Sequence, residues 1–187
     1  HTTIFDVSAD GTAAAGLAFK DCRRVYAFRW TERSGMRLLG KTSAGAARAN
    51  AISGDGTTVG GWEEIPEAFG YRVGAIWKDG EEMLRVDDEP QNPFGHVGEI
   101  MGMGTGGDVA VGYGAGINNR DAYRWTATEG VVNIGRYQGQ ICYQDFDWET
   151  GEPIDVCVDR ETLAFSVSND GKVVTGSEPI AVNPGEH

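Results

Sequence analysis

The sequence predicts an all-β fold: a β-propeller-like array of four-stranded antiparallel sheets, with three full repeats and a partial fourth. Three observations point there. A phrase built on Asp-Gly and closed by a second glycine occurs four times, a Trp-bearing phrase follows each of the first three copies, and helical periodicity is nearly absent. A β-sandwich is the alternative. A β-solenoid is disfavoured, because its rungs are much shorter than about 45 residues.

The first phrase reads "DVSADGTAAAGL", "AISGDGTTVGGW", "GMGTGGDVAVGY" and "SVSNDGKVVTGS". Its marker positions are Val7, Ser8, Asp10, Gly11 and Gly16, then Ile52, Ser53, Asp55, Gly56 and Gly61. The third copy is degraded to Met103, Gly104, Gly106, Gly107 and Gly112, and the fourth is Val167, Ser168, Asp170, Gly171 and Gly176. From Gly16 to Gly61, Gly112 and Gly176 the successive spacings are 45, 51 and 64 residues. Asp-Gly accepts the positive φ that hairpin turns demand, so each copy reads as strand, tight turn, strand.

The second phrase runs "AFRWTERSGMRLLG" from Ala27, "AIWKDGEEMLRV" from Ala75 and "AYRWTATEGVVNIG" from Ala122. Each is again strand, turn, strand, with Trp30, Trp77 and Trp125 in equivalent places. These indoles are expected to fill space between neighbouring sheets, and the glycines to serve turns and close approaches. Four strands per period is the pattern of a propeller blade. The chain then reads as one domain, with repeats at about 4–49, 50–99, 100–161 and an incomplete 162–187, and an acidic insertion at 136–161.

The ordered alternation of "S-x-D-G-x-x-x-x-G" with "A-F-R-W-T…G-M-x-x-L-G" resembles the HAF repeat, a probable extracellular repeat. The resemblance spans residues of about 4–135 in three copies, with a half-copy at 163–177. It implies an exported, bacterial-type, propeller-like protein at or beyond the cell surface, and it transfers no catalytic residues.

Composition narrows function. A net charge of −12 with 28 acidic residues argues against nucleic acid, whose phosphates need a basic surface. No run of 18 apolar residues offers a membrane-spanning helix. Variation in length collects in the connections between phrases and between repeats, which in a meander project from one edge. More than half of the acidic residues fall in those stretches, so this edge is expected to bind a partner, a basic surface or Ca²⁺, unless it is simply solvated. Asp145, Asp147 and Glu149 in "DFDWETGE" form a weak oxygen-ligand candidate. Thr150 stands where a Ca²⁺ loop of the helix-loop-helix type needs Gly. Phe146 and Trp148 alternate with these acids and would anchor the segment from its other side.

Within the insertion, Cys142 and Cys157 flank one acidic, irregular segment and could pair, with two separate buried thiols as the alternative and Cys22 left over. Trp62, Phe69, Tyr71, Tyr113, Asn118 and Asn119 fall in the variable stretches and suit a carbohydrate-binding module if exposed. An enzyme is the weakest reading. His96 beside Glu99 has no placed nucleophile, no GxSxG occurs, and "GMGTGG" lacks the Lys-Ser/Thr of a phosphate loop. The function expected is therefore a non-catalytic extracellular interaction or surface-structure protein. The fourth repeat lacks a Trp phrase, which suggests an excerpt of a longer chain, or a partner or second subunit that supplies the missing strands.

Overall fold

The computed structural model describes residues 1–21, 24–66, 71–78, 82–86, 98–114, 121–135, 140–159 and 161–177. The described residues form sixteen strands and no α-helix. The first sheet is β1 (Thr2–Val7), β2 (Ala13–Lys20), β3 (Arg24–Thr31) and β4 (Gly35–Leu38). The second is β5 (Ala47–Ile52), β6 (Thr58–Ile65), β7 (Tyr71–Lys78) and β8 (Glu82–Val86). The third is β9 (Glu99–Met103), β10 (Val109–Tyr113), β11 (Ala122–Thr126) and β12 (Gly130–Asn133). Each is an antiparallel meander in chain order. Two hairpins follow: β13 (Gln140–Phe146) with β14 (Pro153–Asp159), and β15 (Leu163–Val167) with β16 (Val174–Ser177).

The four copies of the first phrase are one structure repeated. In the first, Ser8 Oγ donates to Asp10 Oδ1 at 2.7 Å, and the same carboxylate oxygen accepts the Thr12 amide at 3.0 Å. The Ala13 amide donates to Ser8 Oγ. Ser53, Asp55, Thr57 and Thr58 repeat this network, as do Ser168, Asp170, Lys172 and Val173. The third copy has lost the side chains but keeps the main-chain bonds, Gly104 N to Val109 O and Gly107 N to Gly104 O. Gly107 takes a φ of 72°, matching 71° at Gly11 and Gly56 and 72° at Gly171.

The closing glycine answers a collision. In each first strand one residue bulges out of register, between Ile4 and Asp6, between Ala49 and Ala51, opposite Val111/Gly112, and between Ala164 and Ser166. The bulge drives a main-chain carbonyl against the second strand. A Cβ at Gly16, Gly61, Gly112 or Gly176 would sit 1.9 Å from the carbonyl oxygen of Thr3, Arg48, Glu99 or Leu163 respectively. Only hydrogen fits there.

Successive sheets stack in equivalent ways. The core between the first and second holds Ala13, Ala15, Ala27 and Leu39 against Ala47, Ala49, Ile52, Val59, Ala75 and Trp77. Ile76 and Val86 face Ile100, Ala110, Tyr123 and Trp125 across the next junction. Val111 and Ala122 face Ala164 and Val167 across the third. The Asp-Gly turns join through the backbone: Ala9 N donates to Gly54 O, Asp55 N to Thr105 O, and Thr105 N to Asn169 O. Small residues dominate the first junction because two sheets approach there with little room for branched side chains.

The three indoles differ in burial according to what precedes them. Trp77 is fully buried, at 0% exposure, and its Nε1 donates to Gly40 O of the first sheet at 2.7 Å. Trp125 is 9% exposed against the second sheet. Trp30 is 39% exposed, and among the described residues no sheet covers that face. Ile4, Val7, Met36 and Leu38 are exposed with it.

Candidate functional site

In these meanders the turns after β2, β6 and β10 emerge at the same edge as the connections between sheets, opposite the Asp-Gly turns. The strands run further toward that edge than the sequence suggested. β2 continues through Lys20 and β6 through Ile65, so "LAFK" and "WEEI" are ladder rather than loop.

That extension changes the charge expected at the edge. Glu63 lies in β6, wholly buried, where it accepts hydrogen bonds from Thr42 Oγ1 at 2.7 Å and the Ser43 amide at 2.6 Å. Arg85 Nη2 lies 3.4 Å from the same carboxylate. Burial works to raise the pKa of Glu63, but the bonds from Thr42 and Ser43 and the Arg85 charge outweigh it, and the net direction is down. Glu63 thereby fastens the connection from the first sheet to the second. Glu99, also buried, pairs with Arg48 at 3.1 Å and with Arg72. Two of the acids that fall in the variable stretches are thus interior anchors, each with arginine partners.

Trp62 belongs to this cluster and not to an open loop. It is buried in β6, with the guanidinium of Arg72 4.1 Å and that of Arg48 5.3 Å from its ring centre. Its Nε1 has no hydrogen-bond partner among the described residues. Tyr71 opens β7 opposite Ile65, and Tyr113 closes β10 opposite Ala122. The structure therefore spreads Trp62, Tyr71 and Tyr113 over two sheets as ladder residues, Trp62 buried and the two tyrosines half-buried. Phe69, His96, Asn118, Asn119 and Cys22 lie outside the described residues.

The insertion is ordered as an arm. β13 and β14 pair along their whole length from Gln140↔Asp159 to Phe146↔Pro153, in place of the irregular segment expected. Cys142 and Cys157 are directly opposite in this ladder, with Cα atoms 4.1 Å apart, and are joined by a disulfide. At the tip Asp147 Oδ1 accepts the amides of Glu149 at 2.8 Å and Thr150 at 3.0 Å. These bonds, Thr150 first, hold the carboxyl of Asp147 below its ordinary range. Asp145 accepts the amide of Phe146. Asp145 and Asp147 are thus each engaged by local main chain, Glu149 is exposed, and no group of three or more His, Cys, Asp or Glu side chains positioned for a metal occurs among the described residues.

Phe146 is 69% and Trp148 89% exposed, so neither anchors the segment as its alternation suggested. Tyr143 and Ile154 are exposed on the same arm. An extended ribbon with only two strands has no second layer to cover its apolar side chains. The signal for this arm was present in "QICYQDF" and "PIDVCVD", two runs of equal length with a cysteine equidistant from a "DWETGE" turn.

No family model matches the chain, and no curated protein matches it. Among solved structures it is similar to the β-propeller protein TolB from Acinetobacter baumannii, at 12% identity and a TM-score of 0.51, over 93% of this chain and 42% of that one. It is also similar to a putative TolB from Agrobacterium tumefaciens, at 13% identity and a TM-score of 0.53, over 93% of this chain and 73% of that one. The chain thus spans less than half the length of the first. At these identities the likeness is one of fold, and it supports a propeller-like arrangement of the sheets.

Proposed function

We propose that this chain is an exported, non-catalytic interaction module of propeller-like build, which engages a protein partner through the edge bearing the disulfide-tied arm. The observation that carries this is the tip of that arm. Phe146 and Trp148 stand in solvent on a clamped ribbon flanked by Asp145, Asp147, Glu149 and Glu152. Exposed aromatics on a rigid element are typical interface anchors, and the surrounding acids suit a basic partner surface.

The disulfide favours an oxidising compartment outside the cytoplasm, in keeping with the resemblance to an extracellular repeat. The three complete sheets and the half-sheet serve as blades of a ring in this reading. Retention of a partner by immobilised wild-type protein, compared with a Phe146→Ser/Trp148→Ser variant, tests it. The variant should melt at an unchanged temperature and lose the partner. Equal retention by both would refute a role for the arm.

A further inference from the structure

We propose that Arg48, Arg72 and Trp62 form a binding site for a carboxylate monoanion with an apolar substituent, where the first three sheets meet. Every residue of the site belongs to β1, β5, β6, β7 or β9 and none to the arm, so it stands or falls independently of the arm's role.

The bulges build one side of it. The residue left out of register is Phe5 in β1, Asn50 in β5 and Met101 in β9. Asn50 Nδ2 donates to Ile100 O at 2.8 Å and lies 3.4 Å from Met101 Sδ. Asn50 Oδ1 accepts Arg48 Nε at 2.6 Å, and the Arg48 guanidinium lies 5.0 Å from the ring centre of Phe5. Arg48 thus reaches from an aromatic ring of the first sheet to Glu99 of the third.

Glu99 aligns both arginines and leaves them with donors to spare. It accepts Arg48 Nη2 and Arg72 Nη1, and both guanidiniums lie within 5.3 Å of the Trp62 ring centre. Among the described residues Arg48 Nη1, Arg72 Nε, Arg72 Nη2 and Trp62 Nε1 have no acceptor. Glu64, opposite Arg72 in the ladder, accepts the Ala46 amide instead. Two guanidiniums against one carboxylate leave the cluster one net positive charge, on a chain of net charge −12.

These groups choose the ligand. Donors alone call for an anion, the single surplus charge for a monoanion, and the planar fork of arginine for a carboxylate. Trp62 is 5% exposed, and a buried N–H without an acceptor costs about 1–3 kcal/mol, which a ligand oxygen removes. The Arg48 and Arg72 side chains are 25% and 41% exposed, so the site opens to solvent. Phe5, exposed, and Met101, half-buried, offer apolar contact to the substituent.

The probe is N-acetyl-phenylalanine, titrated into the isotope-labelled full chain at constant ionic strength, with its amide and hydrocinnamate in parallel. Each of the five tryptophans gives one indole N–H resonance, and Trp62→Phe identifies that of Trp62. Saturable displacement of the Trp62 signal by the acid is expected, with the amide at least about tenfold weaker. Arg72→Lys keeps a cation for Glu99 and loses the fork; it should bind the acid at least about tenfold more weakly at an unchanged melting temperature. Hydrocinnamate binding as tightly supports a free organic acid as ligand, and weaker binding by it supports a peptide C-terminus.

No displacement up to about 10 mM acid, enough to fill a site of about 1 mM Kd to about nine tenths, overturns the inference. Displacement matched by the amide or by inorganic phosphate, or unchanged in Arg72→Lys, overturns it too. The wild-type titration can decide against the site whatever the stability of the variants.

Discussion

Trp30 and Trp77 occupy the same place in two repeats and should differ sharply in what they contribute to stability. Replacing a fully buried Trp by Ala costs about 3–5 kcal/mol. At Trp77 the carbonyl of Gly40 also loses its donor, adding about 1 kcal/mol. Trp77→Ala should therefore cost about 4–6 kcal/mol, a large part of the stability of a domain this size. Trp30, 39% exposed on the uncovered face of the first sheet, should cost about 2 kcal/mol, from lost buried area at roughly 25 cal/mol per Å² and no enclosed cavity. Urea unfolding followed by circular dichroism measures both at unchanged slope. Trp77→Phe, which keeps most of the apolar contact, should fall between the two and guards against a variant that fails to fold. Costs for Trp30→Ala and Trp77→Ala that agree within about 1 kcal/mol would refute the stacking of the second sheet on the first.

Gly61→Ala should cost about 3 kcal/mol by the same denaturation assay, because its Cβ meets the Arg48 carbonyl at 1.9 Å. Gly11→Ala, with open space around it, should cost only about 1 kcal/mol for a left-handed φ. The carboxyls of Asp10, Asp55 and Asp170 lie below their ordinary value of 3.8, held there chiefly by the Thr12 amide at Asp10 and by the Ser53 and Ser168 hydroxyls at the other two. A lowered folded pKa gives stability that is present above 3.8 and lost as pH falls through the folded values. Wild-type stability should thus decline on acidification below about pH 4, and Asp55→Asn should flatten part of that decline when melting is followed from pH 6 to pH 2. Reducing the Cys142–Cys157 disulfide should raise amide exchange across residues 140–159 and leave exchange in the three four-stranded sheets unchanged, since among the described residues β13 and β14 form a sheet of their own.

The sheets were legible because their punctuation is chemical. Asp-Gly turns, bulge-facing glycines and a Trp once per period each answer a local steric or hydrogen-bonding demand, and each recurs. The edge was harder to read because burial there is decided between sheets. Glu63 and Glu99 look like solvated acids until Arg48, Arg72 and Arg85 arrive from other strands, 22 to 51 residues away in the chain. Trp62 looked free for the same reason, its arginine cover coming from β5 and β7. The arm was misread through its aromatics, whose alternation gives a side but not a layer for that side to meet. Trp30 matches Trp77 in phrase and differs in exposure, because among the described residues no sheet packs on its face, and no local pattern encodes that.

The seam of amide-to-carbonyl links running from Ala9 through Gly54, Asp55 and Thr105 to Asn169 is indifferent to side chains. A modular array built this way can let its copies drift apart in spelling while neighbours stay in step, as the turn at Gly104–Gly107, which has neither the serine nor the aspartate of the other copies, already does. New loops can then be grafted onto the far rim of any single unit without renegotiating how the units meet.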